Sequence, residues 1–263
     1  MPGPIFQKSY SPISTKWGLR LISMTAFALG WEFFARAIDS LLFPTFFETV
    51  SALIILLGSD ELWQAFFISN QAMVAGFILA LLVGLPLGFI LGIWESAEKF
   101  LNPYINIMLV TPMSAMIPLM IIAFGLGFIP RVLVIFIYSF VYVTINTRAG
   151  LRNVDSYLVD MARTFGATRK QIWRKIFIPS AIPAVMTGIR VGLGRALTGM
   201  VAVELLLVAL GLGRLILYFR GNFEAGMVYA VIFVIISEAV LLMGFVRYLE
   251  LRLIPWESEV GLE

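Results

Sequence analysis

Long, predominantly apolar runs constrain this chain more than any other feature. Two examples are residues 132–145 and 228–246. A helix of about 20 apolar residues crosses the roughly 30 Å hydrocarbon core of a bilayer, whereas a soluble core does not need such runs. Composition agrees, because 60% of the 263 residues are hydrophobic and only 13% are charged, against about 45–50% and about 25% in soluble domains. We therefore expect an integral membrane protein.

Missing residue types exclude several kinds of chemistry. The chain has no cysteine and no histidine, which rules out disulfides, thiolate nucleophiles, zinc sites of the usual kind and imidazole proton relays. It also lacks the Gly-x4-Gly-Lys-Ser/Thr loop that cradles a nucleotide triphosphate. We predict no catalytic residue, no metal site and no cofactor bound by this chain, and we expect it not to be an enzyme or to bind nucleic acid.

Six apolar segments are long enough to cross the membrane as helices. Barrel strands would instead appear as alternating segments of about ten residues. A transmembrane region of residues 19–252 is expected between an N-terminal tail, 1–18, and a C-terminal tail, 253–263. Its predicted spans are 19–38, 72–94, 104–124, 132–147, 185–210 and 227–249.

Two apolar stretches allow alternatives. Residues 46–57 are too short to span, and Val50, Leu53, Ile54 and Leu57 form an amphipathic stripe. We expect an interfacial helix there, with part of an unusual seventh span as the alternative. The run at 19–38 follows a polar stretch, but it is longer than the core of a cleaved signal peptide. We therefore expect a retained first span rather than a cleaved signal.

Basic residues are distributed unevenly between the two sides of the membrane. Alternating spans place thirteen Lys and Arg residues on one side, including seven between Arg148 and Lys175, and four on the other. By the positive-inside rule, both termini and the 148–175 loop are predicted to be cytoplasmic. The basic residues on the opposite side are Arg36, Arg131, Arg214 and Arg220.

Proline and glycine mark two of the spans. The third span contains Pro112 and Pro118, so its helix is expected to be kinked or broken. Broken helices are tolerated where they are buried in protein or line a cavity, so a pathway role is one interpretation and a packing kink is the other. The second span has glycines at residues 84, 88 and 92 on one face, which favours close helix packing.

The loop at 153–183 is the most informative segment. Asn153 or Asp155 is expected to cap a helix over 156–164, Gly166 to end it, and Thr168 to cap a second helix over 169–177. Pro179 and Pro183 are expected to separate that helix from the fifth span. On periodicity alone, the basic residues of this loop favour binding to anionic lipid.

The same loop resembles a family signature. Binding-protein-dependent ABC importer permeases carry Glu-Ala-Ala-x3-Gly-x9-Ile-x-Leu-Pro on the cytoplasmic side, and here the spacing is kept throughout. Asp160, Met161 and Ile178 replace the Glu, an Ala and the Leu of the signature. The residues that match outright are Ala162, Gly166, Ile176 and Pro179.

The resemblance extends well beyond the loop. Three further segments are similar to the nitrate, sulfonate and taurine branch of that family, namely 111–127, 187–204 and 253–256. The resemblance therefore covers about residues 44–256. It implies an all-α polytopic membrane protein with a type I ABC importer permease fold, in which about six transmembrane helices carry a cytoplasmic coupling-helix loop.

That resemblance also implies partners and roles. The expected partners are a second permease subunit, most simply as a homodimer, two cytoplasmic ATPase subunits that hold ATP and Mg, and an extracytoplasmic substrate-binding protein, all at the inner (plasma) membrane. The ATPase-coupling residues that it implies are Asp160, Met161, Ala162, Gly166, Ala167, Ile176, Ile178 and Pro179.

Three charged residues lie in the fifth span, where charges are costly and usually face protein or water. Arg190, Arg195 and Glu204 are candidate pathway residues, together with Pro112 and Pro118. One interpretation is that an arginine attracts an anion. The other is that each charge pairs with a group on a neighbouring helix.

Rival functions are a secondary transporter, which would predict inverted repeats and no docking motif, and a membrane-embedded hydrolase, which lacks a clustered acid-base site. The branch imports nitrate, sulfonates, taurine, bicarbonate, cyanate or vitamin precursors. A small anion is therefore the expected substrate class, without a choice among these.

Overall fold

The computed structural model describes residues 13–206 and 210–254, with side chains from Gly18 onward. Lys8, Pro255, Trp256 and the side chain of Lys16 therefore lie outside the described part of the chain. The described residues form eleven α-helices and one π-helical turn at Trp173–Phe177. The α-helices are α1 Ile13–Ile38, α2 Phe46–Leu57, α3 Asp60–Ile93, α4 Glu95–Val110, α5 Met113–Phe124, α6 Phe128–Arg152, α7 Ser156–Thr164, α8 Arg169–Ile172, α9 Ile178–Leu206, α10 Gly211–Gly221 and α11 Ala225–Leu253.

Helix length and apolarity identify the membrane spans. Helices α1, α3, α6, α9 and α11 are each long and apolar enough to cross, and α4 with α5, bent by 101° between them, raises the number to six if the pair counts as one broken span. The bend lies at Thr111, whose extended backbone (φ −69°, ψ 127°) is the conformation favoured before a proline such as Pro112. The expectation of an all-α protein with about six spans is confirmed, and so is the break in the third span.

Several span boundaries differ from the prediction. Helix α3 begins at Asp60 rather than residue 72, because the Ser59 hydroxyl accepts a hydrogen bond from the Leu62 amide at 3.3 Å and so caps the first turn. Helix α6 extends over Phe128–Arg152 instead of 132–147. Apolarity marks only the part of a helix in hydrocarbon, so the polar end turns are missed.

The fifth span begins earlier than predicted, at Ile178 rather than residue 185, and a separate short helix follows it. Helix α9 ends at Leu206, residues 207–209 are outside the described part of the chain, and α10 follows as a separate helix. No helix was predicted from the sequence between the fifth and sixth spans, so α10 was missed. Helix α10 contacts α3, α9 and α11 and buries Leu212, Leu215 and Phe219.

The glycine face of α3 packs directly on α6, as the spacing indicates. A Cβ added at Gly88 would lie 2.5 Å from the Thr147 Cβ, and one added at Gly92 would lie 2.7 Å from the Leu151 Cβ. Only glycine permits such a close approach at these positions. Helix α6 packs on α3 and also on α9, so it occupies the centre of the bundle.

Helices α1 and α2 lie at the periphery. Helix α2 has the predicted bounds, with a capping box between Thr45 and Glu48, and it packs on α11. Its buried face carries Thr49, Ala52 and Leu56, while Ile54 of the predicted stripe is 67% exposed. Helix α1 is held through aromatic contacts of Trp31, whose indole nitrogen also donates a hydrogen bond to the Pro44 carbonyl at 3.0 Å.

Candidate functional site

The loop between α6 and α9 begins with a short capped helix. The Asp155 carboxylate accepts a hydrogen bond from the Tyr157 amide at 2.8 Å and caps α7. After Phe165 the chain reverses at Gly166, which has a left-handed backbone (φ +76°). The Ala167 amide donates to the Ala162 carbonyl at 3.0 Å, and the Gly166 amide donates to the Arg163 carbonyl at 2.9 Å.

These two hydrogen bonds define a Schellman motif, which ends a helix and requires a left-handed residue that is usually glycine. Gly166 and Ala162 of the family signature therefore have a direct structural purpose. The glycine reverses the chain, and the alanine supplies a carbonyl to the turn.

The second half of the loop differs from the prediction. Thr168 and Gln171 form a capping box at the start of α8, as the sequence indicates. Helix α8, the π-helical turn and α9 then continue as one helical rod from Arg169 to Leu206, so the expected separation at Pro179 and Pro183 is wrong. The Ile178 amide bonds to the Trp173 carbonyl five residues back, so the usual ladder is already interrupted where Pro179 lacks its N–H.

The loop presents apolar side chains to solvent. Phe165 is 84% exposed and Tyr157 is 73% exposed, whereas Val159 on the other face of α7 is buried. Within the described part of the chain, the Asp160 carboxylate forms a long ion pair with Arg163, at 3.4 Å. Among the other predicted coupling residues, Met161, Gly166 and Ile178 are exposed and the rest are partly buried, namely Ala162, Ala167, Ile176 and Pro179.

The two arginines of α9 have different surroundings. Arg190 forms an ion pair with Glu250 of α11. For Arg190 this agrees with the interpretation that each charge of the fifth span pairs with a group on a neighbouring helix. Arg195 instead stacks over the ring of Tyr142 on α6, 4.5 Å from the ring centroid, and its side chain is exposed in the single chain.

Arg195 belongs to a stripe of exposed residues along α9. Thr187, Val191 and Thr198 share that face and are also exposed. Helix α5 of the broken span contacts α9. Pro112 and Pro118 are exposed as well, so the broken span presents both of its prolines on the surface of the single chain. A polar stripe on a membrane helix is unfavourable against lipid and is typical of a helix that faces water or protein.

Glu204 lies at the centre of a buried polar cluster. Its carboxylate accepts hydrogen bonds from Arg131 at 2.6 Å, from the Ser69 hydroxyl at 2.8 Å and from the Gly213 amide at 3.1 Å. Arg131 also donates to the Ile68 carbonyl at 2.9 Å. The cluster joins α3, α6, α9 and the amino end of α10.

The structure corrects the expected surroundings of Arg131. Its position just before an apolar run placed it in an extracytoplasmic loop, but it lies inside the first turn of α6 and is only 3% exposed. No local signal pairs it with Glu204, because the two residues are 73 positions apart. Ser69 was missed for the same reason.

A second polar cluster lies at the end of the bundle that carries the α6–α9 loop. Glu98 of α4 forms ion pairs with Arg148, at 3.6 Å, and with Arg152. Arg148 also donates to the Asn102 side chain at 2.6 Å. Arg131 and Arg148 are 17 residues apart in one helix, so the two clusters lie about 26 Å apart, close to the hydrocarbon thickness.

Comparison with known families gives a direct match. Residues 84–255, about two thirds of the chain, match the model of the binding-protein-dependent transport system inner membrane component family. The matched region contains α9, the broken span and the whole α6–α9 loop.

Two relatives agree with that match. The taurine transport system permease protein TauC of Escherichia coli is 34% identical over 200 residues, which cover 76% of this chain and 72% of that protein. A Bacillus subtilis permease protein named for aliphatic sulfonate transport is 33% identical over 203 residues, which cover 77% of this chain and 74% of that protein.

A solved structure has the same fold. A chain of the MetNI methionine ABC transporter, in an inward-facing conformation, superposes with a TM-score of 0.54 at 18% identity, covering 77% of this chain and 95% of that chain. The resemblance expected from the loop signature is thus confirmed in family and in fold. Members of the family are non-catalytic permease components, and the ATPase is a separate subunit. The chain belongs to the binding-protein-dependent transport system inner membrane component family.

Proposed function

We propose that this chain is the permease subunit of an ATP-driven importer and forms the membrane pathway for a small solute delivered by an extracytoplasmic binding protein. ATP and Mg would be held by a partner ATPase, which docks on the α6–α9 loop. The observation that carries the proposal is the exposed aromatic surface of that loop, where Phe165 and Tyr157 flank a helix closed by a Schellman motif.

Physical chemistry supports docking at this surface. Exposed aromatic side chains on a short, well-capped helix provide apolar contact area with little conformational entropy to lose. The Schellman motif and the Thr168 capping box fix the direction of the chain on both sides of Phe165. A rigid protrusion of this kind transmits a displacement of the ATPase to α9, because the helical rod continues without a break from Arg169.

Truncation of Phe165 tests the docking surface. Phe165→Ala should weaken co-purification of the ATPase and lower ATP-driven uptake in reconstituted vesicles, while expression and membrane insertion stay normal. Phe47→Ala is the matched control, because Phe47 is also strongly exposed, at 73%, but lies on α2. Equal ATPase binding by both variants would contradict docking at the loop.

The assembly that we propose contains two copies of this permease, two ATPase subunits and one binding protein. The polar stripe of α9 supports it, since a charged residue near the centre of a membrane helix costs about 2.5–3.5 kcal/mol on insertion scales. Contact with a second permease copy or with a water-filled pathway relieves that cost for Arg195. The inner membrane is the expected location, with both termini cytoplasmic.

We propose a small anion as the substrate, such as nitrate, a sulfonate, taurine or bicarbonate. Two relatives are named for taurine and aliphatic sulfonate transport. In this chain, Arg195 is the exposed cation of α9, and Arg190 is committed to Glu250. Arg195 would attract the anion, with Tyr142 holding the guanidinium in place.

Neutralising Arg195 tests this role. Arg195→Gln should abolish or strongly reduce uptake while assembly with the ATPase stays normal, and Arg195→Lys should retain part of the uptake because the charge remains. Arg214→Gln is the control, since Arg214 pairs with Glu61 on exposed surface. Unchanged uptake in Arg195→Gln would remove Arg195 from the pathway.

A further inference from the structure

Glu238 is a buried carboxylate in the middle of α11. It is only 6% exposed, and neither of its carboxylate oxygens has a hydrogen-bond partner among the described residues. A buried charge without a partner is strongly unfavourable. None of the coupling or pathway roles assigned above uses this residue.

Neighbouring charges do not neutralise Glu238. Asn70 and Glu204 lie close enough to influence it, but the Asn70 amide, which donates to the Phe66 carbonyl at 3.1 Å, is neutral and brings no positive charge. The guanidinium of Arg131 is bound to Glu204 at 2.6 Å. Among the described residues, the region therefore holds two carboxyl groups and one cation, and that cation is paired with Glu204 rather than with Glu238.

Glu238 lies on the wall of a cavity between α2, α3 and α11. The cavity has a volume of about 590 Å³ and is lined mostly by apolar side chains, and Asn70 and Ser237 are its other polar lining residues. This volume is within the range of about 300–1,000 Å³ that is typical of small-molecule sites. Two of its lining residues are strongly exposed, Trp63 at 54% and Leu241 at 73%, so the cavity opens on the surface of the bundle.

We propose that this cavity binds an alkylammonium amphiphile from the membrane, with its hydrocarbon chain along the apolar wall and its ammonium group against Glu238. The apolar wall alone would accept any alkyl chain. The unpartnered carboxylate adds a preference for a cationic group, because a charge-assisted hydrogen bond at a buried site is stronger than a neutral one. The site involves α2, α3 and α11 and is separate from both the α9 stripe and the α6–α9 loop.

Fluorescence of Trp63 provides the test, because bromine quenches tryptophan on contact. The full chain is placed in phosphatidylcholine nanodiscs and titrated with 11-bromoundecylamine or with 11-bromoundecanol, its neutral analogue. The contribution of Trp63 is obtained by subtracting the fluorescence of the Trp63→Phe variant from that of the wild-type chain. We expect the amine to quench it at a mole fraction about tenfold or more below that of the alcohol.

Two variants locate the source of the preference. Glu238→Gln keeps the shape of the side chain. In this variant we expect the amine and the alcohol to quench Trp63 at similar mole fractions. Glu61→Gln removes an exposed acid two residues from Trp63 and should leave the preference intact.

Three results would overturn the proposal. The first is equal quenching by amine and alcohol in the wild-type chain, which needs no variant and means that the cavity accepts any alkyl chain. The second is an unchanged preference in Glu238→Gln. The third is a preference lost in Glu61→Gln, which would assign the effect to surface charge.

Discussion

Glu204 and Arg131 show how a single residue pair holds several helices together. Both side chains are almost fully buried, at 0% and 4% exposure, and the carboxylate also receives hydrogen bonds from α3 and α10. Gly213 contributes by its size, because a Cβ there would lie 2.5 Å from the Glu204 Cβ. The hydrogen bond from Gly213 and this close approach hold the amino end of α10 against α9.

Removal of Arg131 should be severely destabilising. Arg131→Met leaves Glu204 buried without its counter-charge, which costs about 3–5 kcal/mol for a buried pair. Thermal unfolding of the purified protein measures the loss. Arg214→Met is the control, since the exposed Arg214–Glu61 pair is expected to contribute about 0–1 kcal/mol. Similar melting temperatures for the two variants would contradict a structural role of the buried cluster.

Gly166 gives a second prediction for a single residue. A side chain in its left-handed conformation costs about 1–2 kcal/mol, and asparagine tolerates it better than other residues. Gly166→Val should uncouple ATP hydrolysis from uptake while membrane insertion and capture of the binding protein continue, and Gly166→Asn should be milder. Wild-type uptake by Gly166→Val in reconstituted vesicles would refute the coupling role of the turn.

Among the elements, α3 and α6 pack closely along a face of three glycines. Gly84, Gly88 and Gly92 bring α3 onto Phe140, Thr147 and Leu151 of α6. The glycine spacing in the sequence was sufficient to predict this face, although not which helix it contacts.

A methyl group on α3 tests that contact. Gly88→Ala places its Cβ 2.5 Å from the Thr147 Cβ, and overpacking of this kind costs about 1–3 kcal/mol. Gly244→Ala on α11 is the control, because nothing lies within 4 Å of its added Cβ and alanine favours a helix. The melting temperature should fall only for Gly88→Ala, and equal effects would contradict the close contact.

Local signals in the sequence predicted the elements well where the cause is local. Thr168 and Gln171 cap α8, Gly166 ends α7, and Pro112 breaks the third span, each through atoms within a few residues. The continuous rod from Arg169 to Leu206 was missed, because proline is tolerated next to a π-helical turn. Local sequence rules do not predict the π-helical turn.

Contacts between residues on different helices could not be predicted from the sequence, for a different reason. Arg131 and Ser69 contact Glu204 from 73 and 135 positions away, and no periodicity or spacing encodes such contacts. Glu238 did carry a signal, an acidic residue within an apolar run, which in a membrane helix indicates a function by default.

At the scale of the whole molecule, we propose that six spans place the α6–α9 loop and both termini on the cytoplasmic side. The chain has no cysteine, so single cysteines report their accessibility without background. Thr164→Cys in the loop should react with a membrane-impermeant maleimide only after the cytoplasmic side is opened. Ser40→Cys, between α1 and α2, should react in intact cells. The reverse pattern would contradict the proposed orientation.

The most direct test of the central claim is the energy source of transport. Vesicles containing this permease, its ATPase and its binding protein should accumulate a small anion only when ATP and Mg are supplied to the ATPase. Dissipating ion gradients should leave that uptake unchanged. Uptake by the permease alone, driven by an ion gradient without ATP, would instead identify a secondary transporter and contradict the account.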